Sequence, residues 1–418
     1  MQMHRRSFMG AGLAALLAGV GVSTRSVLAG PGPGTGIITP AKRCVVLFMH
    51  GGASQIDTFD PKPGRPTAGE FAAIDTSVAG LSISEHLPGF AARMHHLTLI
   101  RSLTAKEGNH ERARYLMHTG YPPQGGVVHP GLGAHAARAA ADRTGDLPGY
   151  VSLNLPGQGP GYLGAEWSPF VVPNAEKPVR NLAPPESLSD ARFDRRVELW
   201  RSLDGNFAQT HGSSEVEGAR AIGEQAVAMT RAPQLDAFDL ERESPRNRER
   251  YGDGSFARGC LMARRLLEAG VPYVEVGMRG WDTHEDNFDR VRTLSGELDR
   301  GASALIDDLL ASGLWSETLL IWLGDFGRTP RINPRGGRDH FPRVSSVVLG
   351  GGPIRAGEVI GASDKSGEEI AERPVSVPDL FASLAAALGI DAGETHMTAA
   401  GRPVTTVDEA GTVIDELF

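Results

Sequence analysis

The sequence predicts an α/β protein with a mostly parallel central sheet and helices on both faces. Two observations carry this expectation. Short apolar runs of strand length recur along the chain with helical patterns between most of them, the alternation that builds parallel crossovers. The runs are also continuously apolar, not alternating, which suits strands buried on both faces.

In chain order, the runs are 44–49, 97–103, 150–153, 273–276, 318–323 and 344–349. The clearest helical patterns cover 111–118, 191–204, 215–229, 256–269, 287–312 and 378–388. Along the longest, Phe288, Val291, Leu294, Leu298, Leu305 and Leu309 recur at helical spacing and mark a buried stripe. Residues 156–185 are rich in Pro, Gly and Asn and read as a long ordered loop or insertion. The helical, charged stretch 188–251 reads as a lid, so 156–251 together form a loop-rich and helical cap insertion within one domain spanning 44–418.

Ahead of that domain, residues 30–43 read as a linker, and the basic stretch His4-Arg5-Arg6-Ser7-Phe8-Met9 precedes an apolar segment, 10–22, made largely of Gly, Ala and Leu. This is the pattern of a twin-arginine signal. The small-residue site Val27-Leu28-Ala29 suits a signal peptidase, so residues 1–29 are a signal peptide and the expected location is the periplasm, the cell surface or the medium. The apolar segment is too short and Gly-rich for a stable membrane span, although an uncut N-terminal anchor is the alternative. A formal net charge of −8 and the lack of any Lys/Arg cluster argue against a nucleic-acid partner. The two cysteines, Cys44 and Cys260, read as small core residues, with a single disulfide between them left open.

In an open parallel sheet, ligands bind beyond the carboxyl ends of the strands. There the chain places His50-Gly51-Gly52, Gly108-Asn109-His110, Gly280-Trp281-Asp282-Thr283-His284 and Gly324-Asp325-Phe326-Gly327-Arg328, and a loop adds Asp339-His340. Imidazole nitrogen with carboxylate oxygen suits a Zn, Mn or Fe ion. Each residue alone has a bland reading: His50 as a core histidine, Asp325 as a turn residue, Asp282 as a helix cap. Asp57 and Asp60 read as turn formers, and His118, His129 and His135 as surface or packing residues. Arg112 and Arg114 are either anion binders or a solvated helix face. If Asn109 caps the following helix, its N-terminal field favours an anion and keeps His110 neutral.

Taken together, these motifs, with Ser54, Gln55, Asp57, Asn287 and Pro342, resemble the domain of unknown function 1501 from about Cys44 onward. That resemblance implies an exported bacterial protein near the sulfatases and alkaline phosphatases, with one or two metals on a parallel sheet. Carried over, His50 stands first, where the superfamily has Asp; Asp282 and His284 match its Asp/His group. Asp325 matches the Asp of a pair, with Phe326 where His is usual, and His340 matches the final His. The segment from Asn109 to Pro122 resembles the sulfatase signature helix, with His110 where a catalytic Cys or Ser begins it. The resemblance thus implies a metal-dependent hydrolase of phosphate or sulfate esters, with His50, Asp282, His284, Asp325 and His340 holding one or two divalent cations, Zn or Mn. His110 is then a ligand, general acid or nucleophile, and Arg328 an anion clamp. The partners implied are a small anionic ester or a sulfated or phosphorylated glycan, and the twin-arginine export machinery. The alternative is a non-catalytic envelope or glycan-binding protein that keeps a degenerate metal site.

Overall fold

Every residue from Cys44 to Met49 is buried, and the side chains of β1 (Arg43–Met49) alternate between two separate apolar clusters. Val45, Leu47 and Met49 enter one, while Cys44, Val46 and Phe48 enter the other. A strand apolar on both sides of its pleat is stable only between two covering layers, which places β1 in the middle of a sandwich.

The chain, a computed structural model that describes residues 38–398 and 400–418, forms one unit over Ile37–Phe418. The expected signal peptide and most of the linker lie outside the described residues. The remaining strands of the central sheet are β2 (Leu97–Thr104), β3 (Tyr150–Leu153), β4 (Phe170–Val172), β5 (Tyr273–Met278), β6 (Thr318–Gly324), β7 (Ser345–Gly350), β8 (Val359–Ile360) and β9 (Val375–Ser376). Their order is β8-β2-β7-β6-β1-β5-β3-β4, with β9 also on β2. All neighbours are parallel except at β7, which is antiparallel to both β2 and β6.

The helices are α1 (Pro88–Arg93), α2 (His110–Thr119), α3 (Leu132–Ala139), α4 (Asp190–His211), α5 (Ser214–Met229), α6 (Pro245–Tyr251), α7 (Ser255–Glu268), α8 (Asn287–Ala311) and α9 (Val377–Leu388). Residues of α1, α7 and α8 pack in the first cluster, and residues of α2, α3 and α9 in the second, so both faces are covered as expected. No described helix is long and apolar enough to cross a membrane.

Two features depart from the sequence reading, and a third settles a point it left open. The proline-rich stretch holds β4, an edge strand of the central sheet, so part of the expected insertion belongs to the core layer. Helix α3 (LGAHAARA) was not read from the sequence, although it buries six of its eight residues, because most of these are Ala or Gly and stand out little beside large apolar residues. The open disulfide question closes: both cysteines are free and buried, in different clusters on opposite faces. In the cap, α4 buries only Val197, so α4 and α5 add little to the core.

Candidate functional site

Strands β1, β5 and β6 end side by side, and their exits bring His50, Asp282 and Asp325 to one edge. Because β7 runs the opposite way, the residues leading into it reach this same edge. His340–Phe341 there pairs antiparallel with Gly327–Arg328. Close approach requires glycine at the β1 exit: Gly51 has φ +111°, and a Cβ on it would lie 2.5 Å from the backbone nitrogen of Asp282.

Three ligand-type atoms converge at this edge. Asp282 Oδ1 lies 3.1 Å from His284 Nε2 and 3.3 Å from His340 Nε2, and the two nitrogens are 2.9 Å apart. Atoms bonded to one cation at about 2.0 to 2.2 Å have roughly this mutual spacing. The other nitrogen of each ring is fixed: His284 Nδ1 is 2.9 Å from Asp339 Oδ1, and His340 Nδ1 donates to the Gly108 carbonyl at 2.8 Å. Such outer bonds select the tautomer that turns Nε2 inward.

His110 joins from the start of α2, with Nε2 3.4 Å from Asp282 Oδ2. Ligand atoms of His110, Asp282 and His340 all lie within 4.8 Å of one another. Its Nδ1 is 2.6 Å from Oδ2 of the fully buried Asp325, an oxygen that also accepts the Gly51 N–H at 3.2 Å. His110 Nε2 and Asp325 Oδ1 are buried without a hydrogen-bond partner among the described residues. Buried polar atoms rarely stay unpaired, and this mixed nitrogen and oxygen set fits a divalent cation of the Zn or Mn type.

Asn109 caps α2 as expected, accepting from the N–H groups of Glu111 and Arg112 at 3.1 and 3.3 Å. Against the expected neutrality of His110, its hydrogen bond to Asp325 raises the imidazole pKa from the ordinary 6.5, while burial and the charge of Arg328 work the other way. Asp282 shows the opposite balance: burial works against its carboxylate, yet the Arg328 hydrogen bond and charge bring its pKa to about 2.

The structure gives Arg328 a different place from the anion clamp expected of it. The side chain is wholly buried and donates to the carbonyls of Gly51, Gly52 and Arg338 and, at 2.6 Å, to Asp282 Oδ1. With these donors committed, it orients Asp282 and pins the two-glycine turn. His50 lies beside the cluster, its Nε2 3.0 Å from Arg114 Nη1. Burial lowers its pKa, and the Arg114 charge acts the same way, leaving a neutral ring that accepts from Arg114.

A sequence profile described as "Protein of unknown function (DUF1501)" matches residues 41–418. The chain belongs to the DUF1501 family. No curated protein matches this DUF1501 sequence. Among solved structures, it is similar to the lipoteichoic acid synthase LtaP from Listeria monocytogenes, at 10% identity and TM-score 0.39 over 85% of this chain and 74% of that one. It is also similar to the PsFucS1 sulfatase from Pseudoalteromonas sp. (12%, TM-score 0.37, 84% and 68%). A third is a protein in the alkaline phosphatase superfamily from Vibrio parahaemolyticus (12%, TM-score 0.34, 85% and 68%). The chemistry of the DUF1501 site therefore rests on its own residues.

Three residues named in the sequence take more definite places in the structure. Asp339, expected with His340 at the site face, holds His284. Arg114 donates from Nε to the His110 carbonyl at 3.3 Å and reaches His50, with no carboxylate within ion-pair distance among the described residues. His118, read as a surface or packing residue, lies 3.2 Å from Glu275, whose other oxygen accepts from Tyr150 at 2.9 Å. Burial opposes the His118 charge, but Glu275 raises its pKa overall. Glu275 as the sole charge inside the β5 run was the available signal.

Proposed function

We propose that this DUF1501 chain is an exported metal-dependent hydrolase of phosphate or sulfate esters. The observation that carries the reading is the convergence of Asp282 Oδ1, His284 Nε2 and His340 Nε2 within 2.9 to 3.3 Å, beside a buried His110–Asp325 pair with unpartnered atoms. These three residues would hold one cation, and His110 and Asp325 flank it. When bound, such a cation supplies Lewis acidity toward an ester oxygen.

His110 donates Nδ1–H to Asp325, so any second proton sits on Nε2, facing the cluster. The Asp325 hydrogen bond raises its pKa, the direction that suits a general acid at the leaving oxygen. Arg114 takes over the anion-binding role, because its guanidinium faces a neutral imidazole and no carboxylate. The substrate class is a small anionic ester or a sulfated or phosphorylated glycan, met outside the cytoplasm after export through the twin-arginine system that reads Arg5 and Arg6. One observation favours a second reading, a non-catalytic envelope or glycan-binding protein: α2 begins with His110, not with a hydroxyl or thiol nucleophile.

The test uses the mature chain, stripped with chelator, reloaded with Zn or Mn and assayed on aryl phosphates and aryl sulfates. Turnover that returns with metal, disappears in His284→Ala together with the bound metal, and shows a raised KM in Arg114→Gln is the expected result. Bound metal without turnover on any ester supports the second reading, and a chain that takes up no metal overturns both.

A further inference from the structure

β3 and β4 also end at the carboxyl edge, and the chain beyond them walls a cavity of about 710 Å³. Pockets of roughly 300 to 1,000 Å³ suit small organic ligands. Its walls include Val179, Leu182, Leu235, Phe238 and Met262. Seven charged side chains line it, Glu176 and Lys177 among the exposed ones. The side chains of Asp239, Glu241 and Asp253 are 53%, 84% and 93% exposed, whereas Arg248 and Arg258 are each 23% exposed.

Arg258 Nη1 donates to the backbone carbonyl of Arg248 at 3.3 Å, which ties the Arg258 side chain to α6. The carboxylate partners of Arg248 and Arg258 are Glu241 at 2.7 Å and Asp253 at 3.3 Å. Pairs this exposed on the acidic side hold weakly and exchange with solvent. Asn154 fixes the wall to the end of β3 from a left-handed backbone, φ 67°. It accepts the Ala175 N–H at 2.9 Å and donates to the Ser255 carbonyl at 2.8 Å. A buried non-glycine residue held in that region marks a wall the fold keeps in place.

We propose that this cavity binds an amphiphilic anion, with an acyl or aryl body against the apolar wall and one carboxylate, sulfonate, sulfate or phosphate on Arg248 and Arg258. The site is separate from the Asp282, His284 and His340 cluster and does not depend on the metal reading.

The probe is 8-anilinonaphthalene-1-sulfonate, titrated by fluorescence into the mature chain. One saturable equivalent is expected, bound at least 10-fold more tightly than the neutral analogue N-phenyl-1-naphthylamine. Affinity should fall at least 10-fold in Arg248→Gln/Arg258→Gln of unchanged melting temperature, and chelator treatment should leave it unaltered. Equal affinity for the neutral analogue overturns the proposal even if the double variant fails to fold. So does wild-type affinity in a folded double variant, or loss of binding on chelation.

Discussion

Asp282 stands among three imidazoles, and the buried guanidinium of Arg328, with His110 and His284 acting the same way, holds its carboxylate charged against the cost of burial. Asp339 has the corresponding duty for His284, turning Nε2 toward the cluster through Nδ1. Removing such an outer partner typically lowers metal affinity about 10- to 100-fold. Asp339→Ala should therefore weaken Zn binding by about that factor in a calorimetric titration, with little loss of stability because Asp339 is exposed. Unchanged Zn affinity would show that His284 needs no such orientation. His110, Asp282, Asp325 and His340 were legible in the sequence because strand exits in a parallel sheet point to one edge. Arg328 was misread because its position after Asp325 says nothing about depth, and depth decides whether a guanidinium meets a ligand or a carbonyl. Arg114 stayed ambiguous because a helix face cannot be told from sequence to look inward or outward when its neighbours are unknown.

The loop that delivers Asp339 and His340 is held from below. Arg338 and Asp57 are both fully buried and joined at 2.7 and 3.0 Å, with Asn287 at the start of α8 also donating to Asp57 at 2.9 Å. Arg338 donates further to the carbonyls of Thr67, Thr329 and Pro330, so one side chain ties its loop to two more backbone segments. Breaking a buried pair by deleting one member leaves an uncompensated charge and costs about 3 to 5 kcal/mol. Asp57→Ala should lose about that much in urea unfolding, and a loss under 1 kcal/mol would mean that the loop is held by other contacts. Asp57 was read as structural from its place in a turn, but its partner lies 281 residues away and was beyond any local pattern. The six apolar runs and five of the six named helices were legible to within a few residues, because apolar runs of that length have few other uses, whereas α4 runs on to His211 and the short β4, β8 and β9 went unread. The direction of β7 was not, because an apolar run carries no sign of its polarity, and only the return of the loop from β6 to the same edge fixes it.

Across the whole molecule, acid should act first on histidines that fold neutral. His135 is buried, and burial, followed by the charges of His396 and Arg138, lowers its pKa to about 4. The unfolded chain protonates this ring near the ordinary 6.5 while the folded chain does not. The contribution is thus fully present above that pH and declines as pH falls toward 4, by about 3 kcal/mol in all. Comparing urea unfolding at pH 7.5 and 4.5, His135→Leu should flatten the decline by about that amount, and a parallel decline in both proteins would exclude His135 as its source. The position of β1 has another consequence, one of timing. It is the first sheet strand to leave the ribosome, yet the strands that flank it, β5 and β6, begin at Tyr273 and Thr318. At about 5 to 20 residues per second, tens of seconds of synthesis separate this strand from its neighbours, and pairing over such separations is slow. The nascent chain therefore carries a bare apolar strand through most of translation, a stretch that a holding chaperone has time to reach before its own partners do.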